Sequence, residues 1–210
     1  VFHSWAANLV TSDTNGKADV FVHNMCAGHT TARVSVSSSG QEANGDSQFP
    51  KVSGDGSTVA FHSDASNLVS GDTNGVRDTF VRSLLVTLTE RVSVDTSGYQ
   101  ANGQTGYAAI SSNGSIVAFH GLASNLVIAD SNGQQDVFLK YRSSGVVSVV
   151  SHTTGSNFST ATGNALSGSV AITPDGSYAT YHSRASNLVS GDTNASQDIF
   201  VTRLAAWFVW

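Results

Sequence analysis

One stretch recurs four times along this chain: Ala65–Val81, reading A-S-N-L-V-S-G-D-T-N-G-V-R-D-T-F-V, with copies at Ala7–Val22, Ala123–Leu139 and Ala185–Val201. Each copy carries Asn-Leu-Val, then Asp-Thr/Ser-Asn, then an Asp four residues after that Asn, then a Phe in a short apolar run. The shared asparagine falls at Asn8, Asn67, Asn125 and Asn187, giving spacings of 59, 58 and 62 residues. A fixed period of this size implies one supersecondary unit copied and stacked, because a single unit cannot bury its apolar face alone. The chain reads as a repeat protein before any single motif is weighed.

Within one unit, Phe49–Ser53 and Ser57–His62 read as strands joined through Gly54-Asp55-Gly56. An Asp-Gly pair between apolar runs supplies the positive φ that a tight hairpin needs. The Asp/Asn-rich loop follows, then strands at Asp78–Arg82 and Thr89–Val94. The same order recurs with hairpins at Asn113-Gly114 and Asp175-Gly176, and the polar connection Ser39–Gly45 is a close copy of Ser97–Gly103. Charged residues are only 12% of the chain, and Ser, Thr and Asn are abundant, which favours short strands and turns over helices.

The expected fold is therefore all-β: a β-propeller of four-stranded blades of about 60 residues, slightly longer than the usual ~40–50. As one partial domain the blades fall at 1–37 (incomplete), 48–94, 107–151 and 169–210, about three and a half in all. Val1–Ser4 matches only the end of a second strand, so blade one lacks its innermost strand. The tail Leu204–Trp210 matches no fourth strand, although its β-forming content lets it pair as one. Closed propellers have about four to eight blades, and an open arc leaves sheet edges and an apolar flank. The expected partner is a second copy, a homodimer closing a ring of seven or eight blades. A fragment of a longer protein, or an assembly unit without a ligand, is the alternative.

The formal charge of -5, with no Lys/Arg cluster, excludes a nucleic-acid backbone as partner. Cys26 is the only cysteine, so no intrachain disulfide forms. No run approaches the roughly 18 apolar residues that a membrane-spanning helix needs.

Pro50–Phe61 (P-K-V-S-G-D-G-S-T-V-A-F) and Ile172–Tyr181 (I-T-P-D-G-S-Y-A-T-Y) resemble the P-x-I-S-P-D-G-x-x-I-A-F signature of TolB-type propeller repeats, relatives of WD-repeat blades. The form with Ala-Ser-Asn-Leu-Val and Gly-Asp-Thr-Asn-Gly-x-x-Asp-x-Phe-Val resembles a subgroup of bacterial, often exported, proteins. The resemblance covers nearly the whole chain and is specific for fold rather than function. It implies a partner-binding scaffold, a peptidase accessory domain or a secreted module, and a periplasmic or extracellular location.

Two recurring sets carry candidate chemistry. The first is Asp-x-Asn-Gly-x-x-Asp, at Asp13, Asn15 and Asp19; Asp72, Asn74 and Asp78; Asp130, Asn132 and Asp136; and Asp192, Asn194 and Asp198. Side-chain oxygens at positions one, three and seven can wrap a hard cation such as calcium, which takes about six to eight oxygens. The loop is shorter than an EF-hand loop and lacks its terminal Glu, so waters or a neighbouring blade must complete the shell. Equally, Asp and Asn cap turns by bonding their own backbone, and Asn-Gly is a tight-turn pair. The Asp residues persist where the loops have drifted, at Ser131 and Ala195.

The second set is His3, His62, His120 and His182, each five residues before the shared asparagine. TolB-type repeats imply a small or apolar residue there, so the histidines are a variation on the theme. One reading is a packed imidazole bonding the loop backbone. The other is a transition-metal ligand (Zn2+ or Mn2+) or general base, which with the loop carboxylates makes the minimum kit of a metal-dependent hydrolase acting on phosphoesters or other esters. His23, Cys26 and His29 form a loose cluster without a standard zinc spacing.

The chain has no G-x-S-x-G elbow or Gly-rich phosphate loop leading into a helix. Phe21, Phe61, Phe80, Phe119, Phe138, Tyr181 and Phe200 recur at equivalent positions and read as inter-blade core. Trp207, Phe208 and Trp210 read as a docked tail or an interface, with Trp5 as a packing partner. The leading expectation is a calcium-stabilised propeller that binds a protein or small-molecule ligand.

Overall fold

Strands that carry apolar residues on both faces must be covered on both sides. Val59, Ala60 and Phe61 are such a run, and all three are fully buried. The computed structural model describes residues 1–26, 28–128, 130–153, 163 and 165–204. Trp207, Phe208 and Trp210 lie outside the described residues.

The described residues form fourteen strands in four antiparallel meanders and no helix. Blade one holds β1 (Phe2–Ser4), β2 (Asp19–His23) and β3 (Thr31–Arg33). Blade two holds β4 (Ser47–Val52), β5 (Thr58–Ser63), β6 (Asp78–Ser83) and β7 (Thr89–Arg91). Blade three holds β8 (Thr105–Ile110), β9 (Ile116–Gly121), β10 (Asp136–Tyr141) and β11 (Val147–Val149). Blade four holds β12 (Ser167–Ile172), β13 (Tyr178–Ser183) and β14 (Asp198–Arg203). The expected fourth strand Thr89–Val94 is shorter than its apolar pattern suggests. Val92 N–H still donates to the Thr79 carbonyl (2.9 Å), but Thr79 N–H donates to the Ser93 hydroxyl (3.1 Å), which itself donates to Asp78 (2.5 Å), and the ladder ends there.

Register repeats with the sequence. Phe2 pairs with Phe21, Phe61 with Phe80, Phe119 with Phe138 and Tyr181 with Phe200. Each pair stacks or tilts face to face with ring centroids 5.6 to 5.9 Å apart. Three apolar clusters follow, one at each blade junction. In every one, the aliphatic face of a blade (Ala60 and Val81 in blade two) meets the aromatic face of the next (Phe119 and Phe138).

The recurring asparagine ties neighbouring blades together. Asn67 donates to the Glu42 carbonyl (2.9 Å) and accepts from Asn44 N–H (3.0 Å). Asn125 repeats this with Gln100 and Asn102. The connection passes so close that a Cβ at Gly45 would lie 2.6 Å from the Asp64 backbone, which explains the glycine.

The innermost strands β4, β8 and β12 each break register at one place, between Gln48 and Lys51, Gly106 and Ala109, and Gly168 and Ala171. At these bulges Phe49, Tyr107 and Ser169 adopt left-handed φ of 51°, 47° and 47°. Such conformations cost non-glycine residues on the order of 1–3 kcal/mol and re-aim the side chain.

Candidate functional site

The four acidic loops share one geometry. In each, the asparagine carbonyl oxygen accepts a backbone N–H two residues on: Lys17, Val76, Gln134 and Ser196. This is the turn bond of Asn. Its amide nitrogen then donates to the second aspartate, Asn15 to Asp19 (3.0 Å), Asn74 to Asp78 (2.8 Å), Asn132 to Asp136 (2.8 Å) and Asn194 to Asp198 (3.1 Å). The amide also reaches the following blade connection, at Ala43, Ala101 and Gly163. A serine hydroxyl from beyond the fourth strand holds the other carboxylate oxygen: Ser35 on Asp19, Ser93 on Asp78 and Ser151 on Asp136.

What neutralises the carboxylates differs between blades. In blade one the Arg33 guanidinium lies 3.4 Å from Asp19 and 4.0 Å from Asp13, and also bonds Glu42. In blade two Arg91 lies 3.0 Å from Asp72 and 3.4 Å from Asp78. Both arginines pair with the loop aromatic of their blade, Phe21 and Phe80. In blade three that register position, opposite Phe138, is Val149. Asp130 and Asp136 are thus buried together, and among the described residues no guanidinium pairs with either. Burial pushes Asp136 up to about 6 against the Ser151 and Asn132 hydrogen bonds, with Asp130 adding to the rise. Burial raises Asp130 as well. In blade four Asp198 accepts from Asn194 alone among the described residues, and Asp192 and Asp198 border an open cleft with Val189 and Ile199.

The sequence carries the difference as Arg-Val-Ser-Val at Arg33–Val36 and Arg91–Val94, changed at Val149-Val-Ser151.

The histidines line up one per blade at the other side of the inner strands. His62 is 1% exposed, and its Nδ1 accepts Tyr107 N–H at 3.3 Å. His120 Nδ1 accepts Ser169 N–H at 3.2 Å. Their partners are therefore the bulges of the next blade, not the loop backbone expected from sequence. The bulge frees an N–H from its ladder and the preceding imidazole takes it. Glycine is required opposite: a Cβ at Gly106 would lie 2.9 Å from His62 Nδ1. Accepting at Nδ1 places the proton of each neutral ring on Nε2.

His3 packs on Phe49 (5.3 Å), Phe49 on His62 (5.2 Å) and Tyr107 (4.6 Å), and Tyr107 on His120 (5.0 Å). His182 sits opposite Gly168. A cavity of about 430 Å3 opens against this ladder, lined by His3, Phe49, Tyr107, Lys51 and Ser169.

Among the described residues, no three His, Cys, Asp or Glu side chains come together as metal ligands. No such group joins His62 or His120 to the loop carboxylates among the described residues. His23 and His29 lie 6.1 Å apart, with Cys26 exposed beside them.

Burial lowers His62 and His120 to about 4. An unperturbed imidazole would be largely charged at pH 5.5. We expect the ring proton shifts of His62 and His120 in NMR spectra to stay at their neutral values at pH 5.5. Titration of either near 6.5 would show that its bulge contact opens.

No protein-family model matches the chain, and no curated protein sequence does. TolB from Acinetobacter baumannii superposes with a TM-score of 0.51 at 15% identity, over 90% of this chain and 36% of that one. A structure from a study of two prolyl endopeptidases gives 0.52 at 13% identity, over 89% and 24%. The tricorn protease gives 0.51 at 11%, over 82% and 14%. The chain spans about a third or less of the length of each. It has a TolB-like β-propeller fold, present here as a partial propeller.

Proposed function

We propose that this protein is a cation-stabilised β-propeller binding module, with one calcium-class site in the loop of blade three. A single observation carries the reading: Val149 stands where Arg33 and Arg91 neutralise the equivalent carboxylates. Two buried carboxylates without a counter-ion must take up either a proton or a cation. Asp130 and Asp136 supply hard oxygen donors and the charge that calcium prefers. The Asn132 oxygen is occupied by its turn bond, so backbone oxygens and water complete the shell. In blades one and two the guanidinium already fills the cation's role, and Arg33 and Arg91 make added metal redundant there.

Ligand binding is assigned to the cavity at the inner strands. Phe49 and Tyr107 are 40% and 46% exposed there, on backbone held in a strained conformation. Strain of this kind persists where surrounding structure over-determines it and gathers at ligand clamps. A weak two-carboxylate site suits the millimolar calcium found outside cells, in keeping with a periplasmic or extracellular setting. Among the described residues no helix is long and apolar enough to cross a membrane.

Equilibrium dialysis against labelled calcium at neutral pH tests the reading. The expected stoichiometry is about one ion per chain, lost in Asp130→Asn. Four ions, or none, would refute it.

A further inference from the structure

Blade four turns toward solvent a face that the other blades keep covered. Val20 in blade one, Val81 in blade two, and Val137 and Leu139 in blade three are at most 1% exposed, each packed under the next blade. Their counterparts in blade four, Ile199 and Val201, are 76% and 68% exposed. At the other end of the arc, blade one shows the complementary surface. Where Phe61 and Phe119 are fully buried by the preceding blade, Phe2 is 37% exposed. Ala65, Ala123 and Ala185 are at most 3% exposed beneath the preceding blade, whereas their counterpart Ala6 is only half-buried. Leu68, Leu126 and Leu188 are at most 2% exposed, while Leu9 is half-buried.

The two free faces are the two halves of a junction that the chain makes three times within itself. We propose that a second copy of this chain docks there head to tail, its Phe2–Leu9 face receiving Ile199 and Val201. The occupant follows from the internal junctions. Each packs an aliphatic face on a stacked aromatic pair, and Phe2 on Phe21 (5.6 Å) forms the same pair. Because the two faces differ, the contact is heterologous and closes only as a ring. Two arcs of four blades bring the count to about eight, within the range of closed propellers. Nothing in this contact depends on a bound cation.

The test uses the full chain in sedimentation velocity at tens of micromolar. The wild type is expected at twice the monomer mass. Ile199→Asp/Val201→Asp and Phe2→Asp, each alone, are expected to shift toward monomer with melting temperatures close to wild type. Mixing the two variants leaves one intact face on each, so a head-to-tail contact restores a dimer. A monomeric wild type overturns the proposal. So does a dimer that survives Phe2→Asp, or variants that fail to associate when mixed.

Discussion

Replacing Arg91 with methionine is expected to destabilise the fold by about 3–5 kcal/mol at pH 7.5, the usual cost of removing one partner of a buried ion pair. Methionine keeps most of the packing volume but leaves Asp72 and Asp78 facing each other without the guanidinium now 3.0 and 3.4 Å away. Both carboxylates are nearly inaccessible, with side chains 4% and 1% exposed, so solvent does little to screen them. Burial already raises both groups; Arg91 alone opposes it at Asp72, and at Asp78 it adds to the hydrogen bonds from Ser93 and Asn74. The loss should shrink at pH 5, where one carboxylate can take up a proton instead. Urea denaturation at the two pH values measures both effects. A loss under about 1 kcal/mol at pH 7.5 would place the pair among solvated surface bridges.

The second large effect lies at the blade junctions. Phe119→Ala should cost about 3–5 kcal/mol, as deletion of a fully buried ring in a close-packed core does. Its ring stacks with Phe138 and packs under Ala60 and Val81 of the preceding blade, so the cavity falls between blades rather than within one. Val201→Ala, at the equivalent of buried Val81 but 68% exposed, should cost within about 0.5 kcal/mol in dilute solution. Comparing the two melts shows whether stability resides in stacked junctions. Equal losses would mean that it does not.

Much of this architecture is legible in sequence because it repeats. The period, the Asp-Gly and Asn-Gly hairpins and the recurring aromatics locate four sheets, and every aromatic assigned to the core except half-buried Phe200 is nearly inaccessible. The site is less legible, for physical reasons. Arg91 lies 13 residues after Asp78 and meets it only because β6 and β7 pair antiparallel, a contact no local motif encodes. The asparagine at loop position three looks like an oxygen ligand, yet its oxygen is drawn to the nearest backbone N–H. The histidines announce themselves by recurrence, but their partners are bulge amides 45 and 49 residues away. Phe49 and Tyr107 gave no warning, since left-handed backbone is ordinarily read from Gly or Asn.

Asp136 makes the blade-three reading quantitative. Its folded pKa of about 6 stands above the ordinary 3.8. The stability from holding it protonated is full below about pH 4 and is lost as pH rises through 6, a difference worth about 3 kcal/mol. A cation in the loop, or an arginine at position 149, should recover that loss at pH 7.5. The deciding measurement is thermal melting at pH 7.5, with and without millimolar calcium, of the wild type and Val149→Arg. Calcium should raise the melting temperature of the wild type. The variant should melt higher than calcium-free wild type and ignore the ion. Wild-type curves that coincide with and without calcium would contradict the account.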